Sequence, residues 1–513
     1  MTGPTISGPI LPATGHPNGP LDDRGVPASG ATRRVGDPRT GLSPSVTRVL
    51  VLGASRSGMA AALALRRLGL GVTLVDRKKY ESVSGLAELV DAGVDFMTED
   101  ELAAGLPVAQ LVVKSPGVPA ESRPMTIARA EGIPVWSEVE LAYTLLPNPF
   151  NAITGTNGKT TTTILLGHLL TVAGRPARIL GNIGMAVSSV VGGVASDEEL
   201  VVEVSSFQLE DVHAFRPAVG VFLNLTPDHL DRHGTVERYL ACKANLFARQ
   251  GPGDVAVLNL ADPAVAALGE ELLSRPIGPR VAFFSTAAAP VARSGTGDMR
   301  PHSWVDDGRV FLEGEPVLRV EEIMLPGRHN LENCLAAGTA ALARGVERGA
   351  VAEGLRTFKG VAHRLERVGM VAGVTYVNDS KATNVDATLT ALNAFGQGVH
   401  LILGGRDKAS DYRPVARACA KGCRAVYLIG EATPLIEDAF RRVRLEEGMD
   451  TIPEPGRFQD LERAVHAAAA VAVPDEIVLL APACASFDQY SGFEERGEHF
   501  RALVSSLGGG HRE

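Results

Sequence analysis

A short apolar run, a glycine turn and a lysine followed by threonines stand together in Asn151-Ala152-Ile153-Thr154-Gly155-Thr156-Asn157-Gly158-Lys159-Thr160-Thr161. Glycines let backbone N–H groups turn toward anionic oxygens, and a helix opening here would present its positive end to them. Lys159 supplies a cation for outer phosphates, and the Thr160 hydroxyl is a group that magnesium accepts as a ligand. The order predicts a phosphate cradle on a strand, loop and helix, and hence an ATP site. Its spacing, Gly155-x-x-Gly158-Lys159-Thr160, is shorter than the common Gly-x-x-x-x-Gly-Lys pattern, which would need glycine where Ile153 stands.

Two more apolar runs end in groups that suit the same chemistry. Leu200-Val201-Val202-Glu203-Val204 closes on a carboxylate, and Val219-Gly220-Val221-Phe222-Leu223-Asn224 leads into Asp228-His229. Read as buried parallel strands, they bring Glu203 and His229 toward Thr160 on one sheet edge. A carboxylate, a hydroxyl and phosphate oxygens suit Mg²⁺, with one imidazole a less usual addition.

The elements around these groups read as alternating strands and helices. Residues 1–45 hold eight prolines and eight glycines with little apolar periodicity, a composition that predicts a disordered tail whose removal leaves activity intact. Arg48-Val49-Leu50-Val51-Leu52, the turn Gly53-Ala54-Ser55-Arg56-Ser57-Gly58 and the strand ending at Asp76 form a βαβ nucleotide-binding pattern. Ser55 replaces its middle glycine, which weakens a dinucleotide and dehydrogenase reading. Lys114-Ser115-Pro116-Gly117 puts another turn at the carboxyl edge of that sheet. From about 148 the cradle opens a second α/β domain, and near 326 the pattern changes to a third. Its strand ends carry Asn378-Asp379-Ser380-Lys381-Ala382-Thr383-Asn384, Gly404-Gly405-Arg406-Asp407-Lys408 and Ala483-Cys484-Ala485-Ser486-Phe487-Asp488-Gln489. The expected division is a tail over 1–45 and domains over 46–147, 148–325 and 326–513.

Composition bounds the function. The 513 residues are 45% hydrophobic, ample for several cores, and the formal net charge of -9 argues against sequence-independent nucleic-acid binding. Five cysteines without paired C-x-x-C spacing suggest neither a disulfide framework nor a zinc site. No apolar run approaches a membrane span, and the N-terminus lacks a basic region followed by an apolar core. The expectation is a cytoplasmic monomer acting on small molecules, with no nucleic-acid or membrane partner.

The motifs in this order, over about 47–508, resemble the Mur ligases, and among them the branch that adds D-glutamate. The likeness rests on Gly155 to Thr160, Gly181-Asn182-Ile183-Gly184, Glu203-Val204-Ser205-Ser206-Phe207-Gln208-Leu209, Asp228-His229-Leu230-Asp231-Arg232, His329-Asn330, Asp379 to Asn384, and Ser486-Phe487-Asp488-Gln489 through Phe493-Glu494-Glu495-Arg496-Gly497. It implies three α/β domains, each a mainly parallel sheet with helices: Rossmann-like for UDP, P-loop for ATP, and Rossmann-like for the incoming amino acid. The implied reaction phosphorylates the carboxylate of UDP-N-acetylmuramoyl-L-alanine and lets the D-glutamate amine displace phosphate.

By matching, Thr156, Asn157, Gly158, Lys159, Thr160, Thr161, Thr162, Asn182, Asn330, Asn333, Arg364, Asp379 and Lys381 face ATP. Thr160 and Glu203 hold one Mg²⁺, while His229 and Lys243, the latter as a carbamate, help hold a second; the ordinary alternative for Lys243 is an exposed helical lysine. Lys159, Glu203, His229 and Lys243 are the catalytic group. Arg56, Ser57, Asp76, Arg77, Ser115, Pro116 and Gly117 match the UDP-substrate side, and Thr383, Lys408, Ser486, Phe487 and Phe493 the D-glutamate pocket. The competing readings are another ligase of the superfamily, such as a folylpolyglutamate synthase or a later Mur ligase, and a P-loop nucleotide switch. The Asp-Asn-Pro-Arg motif of diaminopimelate-adding ligases is not found in the chain.

Overall fold

The computed structural model describes residues 41–286, 292–294, 297–325, 327–408 and 410–508. Within them the apolar runs are strands buried on both faces, as parallel sheets covered by helices require. The first sheet contains β1 (Arg48–Leu52), β2 (Gly71–Asp76), β3 (Asp95–Thr98), β4 (Leu111–Lys114) and β5 (Val135–Ser137), ordered β3-β2-β1-β4-β5 with every neighbouring pair parallel. That order reverses direction between β1 and β4, so ligands are expected outside the carboxyl ends of those strands.

The second sheet is built from β6 (Phe150–Thr154), β7 (Ala177–Gly181), β8 (Glu199–Glu203), β9 (Val219–Phe222), β10 (Val255–Asn259) and β11 (Arg280–Ser285). After a small hairpin, β12 (Ala292–Ser294) and β13 (Gly297–Met299), the sheet is extended by β14 (Ser303–Asp306), β15 (Arg309–Leu312) and β16 (Glu315–Arg319). The order is β16-β15-β14-β11-β10-β9-β6-β8-β7, parallel from β7 to β14 and antiparallel in the last two pairings. The interior strand β6 thus lies between β8 and β9, and its end points the cradle at the ends of both.

The third sheet contains β17 (Glu366–Val371), β18 (Val374–Asn378), β19 (Val399–Gly404), β20 (Cys423–Ile429), β21 (Gly456–Arg457) and β22 (Ile477–Leu480), ordered β17-β18-β22-β19-β20-β21. Only β17 runs antiparallel to its neighbour. Two apolar clusters cover its faces, one around Leu401, Leu428 and Phe440 and the other around Ile402, Leu480 and Phe500.

The chain divides into two compact units: Met1–Ile323 with His329–Phe358, and Met324–Arg328 with Lys359–Glu513. This differs from a third domain starting at 326, because the helices Arg328–Ala343 and Arg348–Thr357 pack against the second sheet. Gly354 admits Leu169 so closely that a Cβ there would lie 2.5 Å from its Cδ2. Thr339 Oγ1 donates to Ser303 Oγ at 2.7 Å. Arg344 reaches the buried carboxylate of Glu199 on β8, with Nη2 2.9 Å from Oε1, and Arg175 pairs with the same carboxylate. Asn151 on β6 donates to its other oxygen at 2.8 Å.

The tail expected over 1–45 lies outside the described residues for 1–40, and at 41–45 it needs correction. Leu42 is 6% exposed and belongs to the same apolar cluster as Val46 and Leu145, so order begins before Val46. A chain starting at residue 41 should melt as the full chain does, whereas one starting at 46 should lose about 2 kcal/mol with the buried leucine; equal stability of the two would remove Leu42 from the core. Glu199→Ala strands two guanidiniums and an amide at once and should destabilise the first unit by about 3 kcal/mol, read as an earlier urea transition.

Candidate functional site

The cradle is held in shape before any ligand arrives. At Gly158 φ is +83°, and a Cβ would lie 2.4 Å from Asn333 Oδ1, so the turn and the close approach both require glycine. Asn224, just beyond β9, clamps the loop: its Oδ1 accepts from Asn157 N–H at 2.8 Å and its Nδ2 donates to Asn157 C=O at 3.2 Å. Thr156 N–H donates to Asn224 C=O at 2.9 Å. Lys159 Nζ donates back to Gly155 C=O (2.9 Å) and Thr156 C=O (2.8 Å). The helix Lys159–Val172 opens with Thr160, Thr161 and Thr162, all buried. Thr162 Oγ1 donates to Asn333 Oδ1 at 3.1 Å, and Asn333 Nδ2 donates to Asn330 Oδ1 at 3.2 Å, so both asparagines do join the cradle's helix.

One carboxylate gathers the groups expected around magnesium. Glu203 is buried at the end of β8, its Oε2 accepts from Thr160 Oγ1 at 2.9 Å, and its Oε1 accepts from Asn182 Nδ2 at 2.9 Å. Thr160, Glu203 and Asn182 therefore meet as the strand order requires. His229 does not touch them. Its side chain is 49% exposed, its φ is +51°, its Nε2 lies 3.5 Å from Asp228 Oδ2, and its ring rests 4.9 Å from that of Phe207.

Lys243 is not the exposed helical lysine of the alternative reading; it is 1% exposed on the inner face of the helix Val236–Ala244. Its Nζ donates to Gly155 C=O at 2.8 Å and sits 4.6 Å over the ring of Tyr239. Burial, and after it the neighbouring Lys159 ammonium, push its pKa well below the usual lysine value. Tyr239 in turn reaches Thr156 Oγ1 at 3.3 Å and faces the His229 ring at 6.5 Å, linking the buried amine to the rim.

At the edge of the first sheet, Asp76 serves the loop that follows β1. Its Oδ2 accepts from Ala54 N–H at 2.6 Å and its Oδ1 from Lys78 N–H at 2.8 Å. Ser115 Oγ donates to Gly53 C=O at 2.9 Å, drawing Ser115, Pro116 and Gly117 beside the same loop. Arg56 is exposed and Ser57 half-buried at the start of their helix, and Arg77 pairs with Glu99 at 3.1 Å.

In the second unit Lys408 Nζ donates to Thr383 C=O at 3.3 Å, and Lys381 Nζ lies 5.6 Å over the Phe493 ring. Ser486 is buried, while Phe487 is 62% exposed and turned outward. Burial pushes the Asp379 carboxyl up to about 6, opposed by the nearby Arg364 guanidinium. Arg496 carries no assigned role in the sequence reading, yet it joins these clusters. Buried within its helix, it donates to Ser380 C=O (2.9 Å), Ser380 Oγ (3.0 Å) and Cys484 C=O (3.2 Å), and Ser380 Oγ donates to Phe493 C=O at 2.8 Å. Its signal was an arginine inside an otherwise amphipathic helical run. Asn224 and Tyr239 were missed likewise, although both stand near strand or helix ends that carry assigned groups.

Residues 153–341 match the family model of the Mur ligase middle domain, and residues 363–484 that of the Mur ligase glutamate ligase domain. The chain is 46% identical over 465 residues to the UDP-N-acetylmuramoylalanine–D-glutamate ligase of Pelotomaculum thermopropionicum, covering 90% of this chain and 98% of that protein. Identity to the enzyme of the same name from Acidobacterium capsulatum is 41% over 464 residues, covering 89% and 96%. Among solved structures, the UDP-N-acetylmuramate-alanine ligase of Thermotoga maritima is similar with a TM-score of 0.52 at 18% identity, covering 90% of this chain and 99% of that one. MurF of Acinetobacter baumannii is similar with a TM-score of 0.53 at 16% identity, covering 90% and 93%. At those identities the structures speak for the fold, and the sequence relatives for the lineage: the chain belongs to the Mur ligase family.

Proposed function

We propose that the chain joins D-glutamate to UDP-N-acetylmuramoyl-L-alanine in peptidoglycan precursor synthesis, with ATP activating the acceptor carboxylate. The observation that carries this reading is the convergence of a glycine phosphate cradle, a buried carboxylate and a buried amine, in a chain whose relatives bear the name of that ligase. In this reading the five-stranded sheet is a Rossmann-like domain for the UDP substrate. The nine-stranded sheet, with its helices through residue 358, is a P-loop domain for ATP, and the six-stranded sheet is a Rossmann-like domain for D-glutamate.

A free carboxylate repels an amine and offers only oxide as a leaving group. Transfer of the γ-phosphoryl group forms a carboxyl–phosphate bond and releases ADP. Attack by the D-glutamate nitrogen then forms the amide, releases phosphate and gives up a proton. The cradle's N–H groups and Lys159 hold the phosphates in line, and Lys159 exchanges two carbonyl contacts for phosphate oxygens. Asn182 steadies the Glu203 carboxylate.

The donor set fits magnesium, because Thr160 and Glu203 offer hard oxygens side by side. When bound, such an ion neutralises charge on the transferring phosphoryl group. A second ion would draw on His229 and on Lys243 after its amine adds CO₂. That step forms an N–C bond, loses one proton and turns a neutral amine into an anion with two oxygens. The lowered pKa supports it, since only the uncharged amine reacts. Thr383, Lys408, Ser486 and Phe493 would serve D-glutamate, with Arg364, Asp379 and Lys381 facing the nucleotide.

Phosphate release from ATP should require both UDP-N-acetylmuramoyl-L-alanine and D-glutamate; turnover independent of any amino acid would favour the nucleotide-switch reading, and turnover with another amino acid alone would favour a different ligase. Lys243→Ala should lower kcat by at least about a hundredfold, the size expected for a lost charge-stabilising group, while ATP binding by calorimetry stays within a few fold. Removing dissolved CO₂ should lower wild-type activity progressively as pH falls, because protonation withdraws the reactive amine; an activity indifferent to bicarbonate at every pH would end the carbamate proposal.

A further inference from the structure

Away from the Glu203 carboxylate, three side chains of a different ligand character meet. Glu210 follows the helix Ser206–Leu209, His233 ends the helix Leu230–His233, and Cys242 lies on the helix Val236–Ala244. His233 Nδ1 is 3.8 Å from Cys242 Sγ and 3.8 Å from Glu210 Oε1, and one ligand atom from each residue falls within 4.8 Å of the others. A tetrahedral Zn²⁺, with Zn–N of about 2.0 Å and Zn–S of about 2.3 Å, holds its ligand atoms about 3.5 Å apart. The trio closes onto such an ion by movements of less than about 1 Å.

Two of the three groups, His233 and Glu210, are also aimed from outside the trio, as metal ligands are. His233 Nε2 lies 2.9 Å from Ser206 Oγ, a hydrogen-bonded pair, and the ring stacks on Phe207 with centroids 5.2 Å apart and planes 14° from parallel. Nδ1 faces the sulfur and the carboxylate, and the tautomer protonated at Nε2 presents a lone pair to them. Glu210 commits Oε2 to Lys114 (2.6 Å) and Arg232 (3.0 Å), leaving Oε1 toward the imidazole. Lys114 also meets Asp211 at 2.7 Å, so the two cations and two carboxylates balance before any ion enters. The trio lines a cavity of about 200 Å³ whose wall also carries Arg129, Asp211 and Arg238, with room for a fourth, exchangeable ligand.

We propose that Glu210, His233 and Cys242 bind one thiolate-accepting divalent cation of the Zn²⁺ class, at a site chemically distinct from the oxygen donors of Thr160 and Glu203. Binding forms a metal–sulfur bond in place of S–H, and the proton leaves to solvent. The thiol and imidazole select against Mg²⁺, which prefers oxygen. Three arginines on the wall, Arg129, Arg232 and Arg238, favour an anion such as chloride or hydroxide as fourth ligand. His229 rests on the same Phe207 ring that stacks on His233, so the ion would stiffen the platform beneath that rim histidine.

Co²⁺ titrated into the full, metal-stripped chain should give a thiolate-to-cobalt charge-transfer absorption saturating at one equivalent, unaffected by excess Mg²⁺ and discharged by Zn²⁺. Cys242→Ser should abolish that absorption, His233→Gln should weaken cobalt affinity by at least about tenfold, and Cys423→Ser should leave both unchanged. Absence of the band in the wild type, or a band of wild-type strength in Cys242→Ser, overturns the proposal. If Cys242→Ser fails to fold, unchanged cobalt affinity in a folded His233→Gln overturns it equally.

Discussion

An ammonium buried to the extent of Lys243, with a carbonyl and an aromatic face beside it, is expensive to keep charged. Much of the first unit's architecture follows from placing that amine under the loop of the phosphate cradle. Gly155 supplies the acceptor, Tyr239 the floor, and Lys159 the second positive charge that presses the amine toward its neutral form. The two lysines share the Gly155 carbonyl yet meet different surroundings. Lys159 curls back onto its own loop and is half-buried, while Lys243 is enclosed. Two side chains of one type are thereby separated by environment, and burial lowers the pKa of Lys243.

The remaining parts of the site are held by hydrogen bonds that cross between strand ends rather than by local turns. Asn224 beyond β9 clamps the loop beyond β6, Glu203 of β8 reaches the helix after β6, and Asn333 arrives from a helix more than a hundred residues downstream. This explains why parallel pairing of β6 with both β8 and β9 matters chemically: a slip by one residue in either register would separate the partners by about 3.3 Å. Arg496 does comparable work in the second unit, where a buried guanidinium, with its pKa lowered to about 10 by burial, binds the carbonyls of two strand-end clusters.

Much of this was legible from the residues. Buried apolar runs ending in polar groups identified the strands, and the cradle meets Glu203 as the strand ends suggested, while Asn182, singled out by resemblance alone, donates to the same carboxylate. Other features depend on partners that the chain does not bring near in sequence. Leu42 looked like tail because a single leucine among prolines and glycines carries no period, yet it is buried in the apolar cluster that holds Val46 and Leu145. The helix Arg328–Ala343 is alanine-rich with little contrast between faces, so its side of the boundary was unreadable; Glu199, Arg175 and Arg344 decide it through one buried carboxylate. Lys243 stands out in the sequence only through the family resemblance, since its neighbours fit an exposed helical lysine equally, and it is Tyr239 and the Gly155 carbonyl that enclose it. Phe487 follows a buried serine but faces solvent, because a motif does not determine the outward or inward turn of each member.

The interior position of β6, between two parallel neighbours, also bears on how the chain is made. Synthesis delivers this apolar strand about fifty residues before β8 and about seventy before β9, so neither parallel neighbour exists when it first emerges. Helices that complete the same unit come later still, through Phe358. The nascent first unit therefore passes through a long interval with an unpaired hydrophobic strand, during which chaperone occupancy rather than native pairing would protect it from association with other chains.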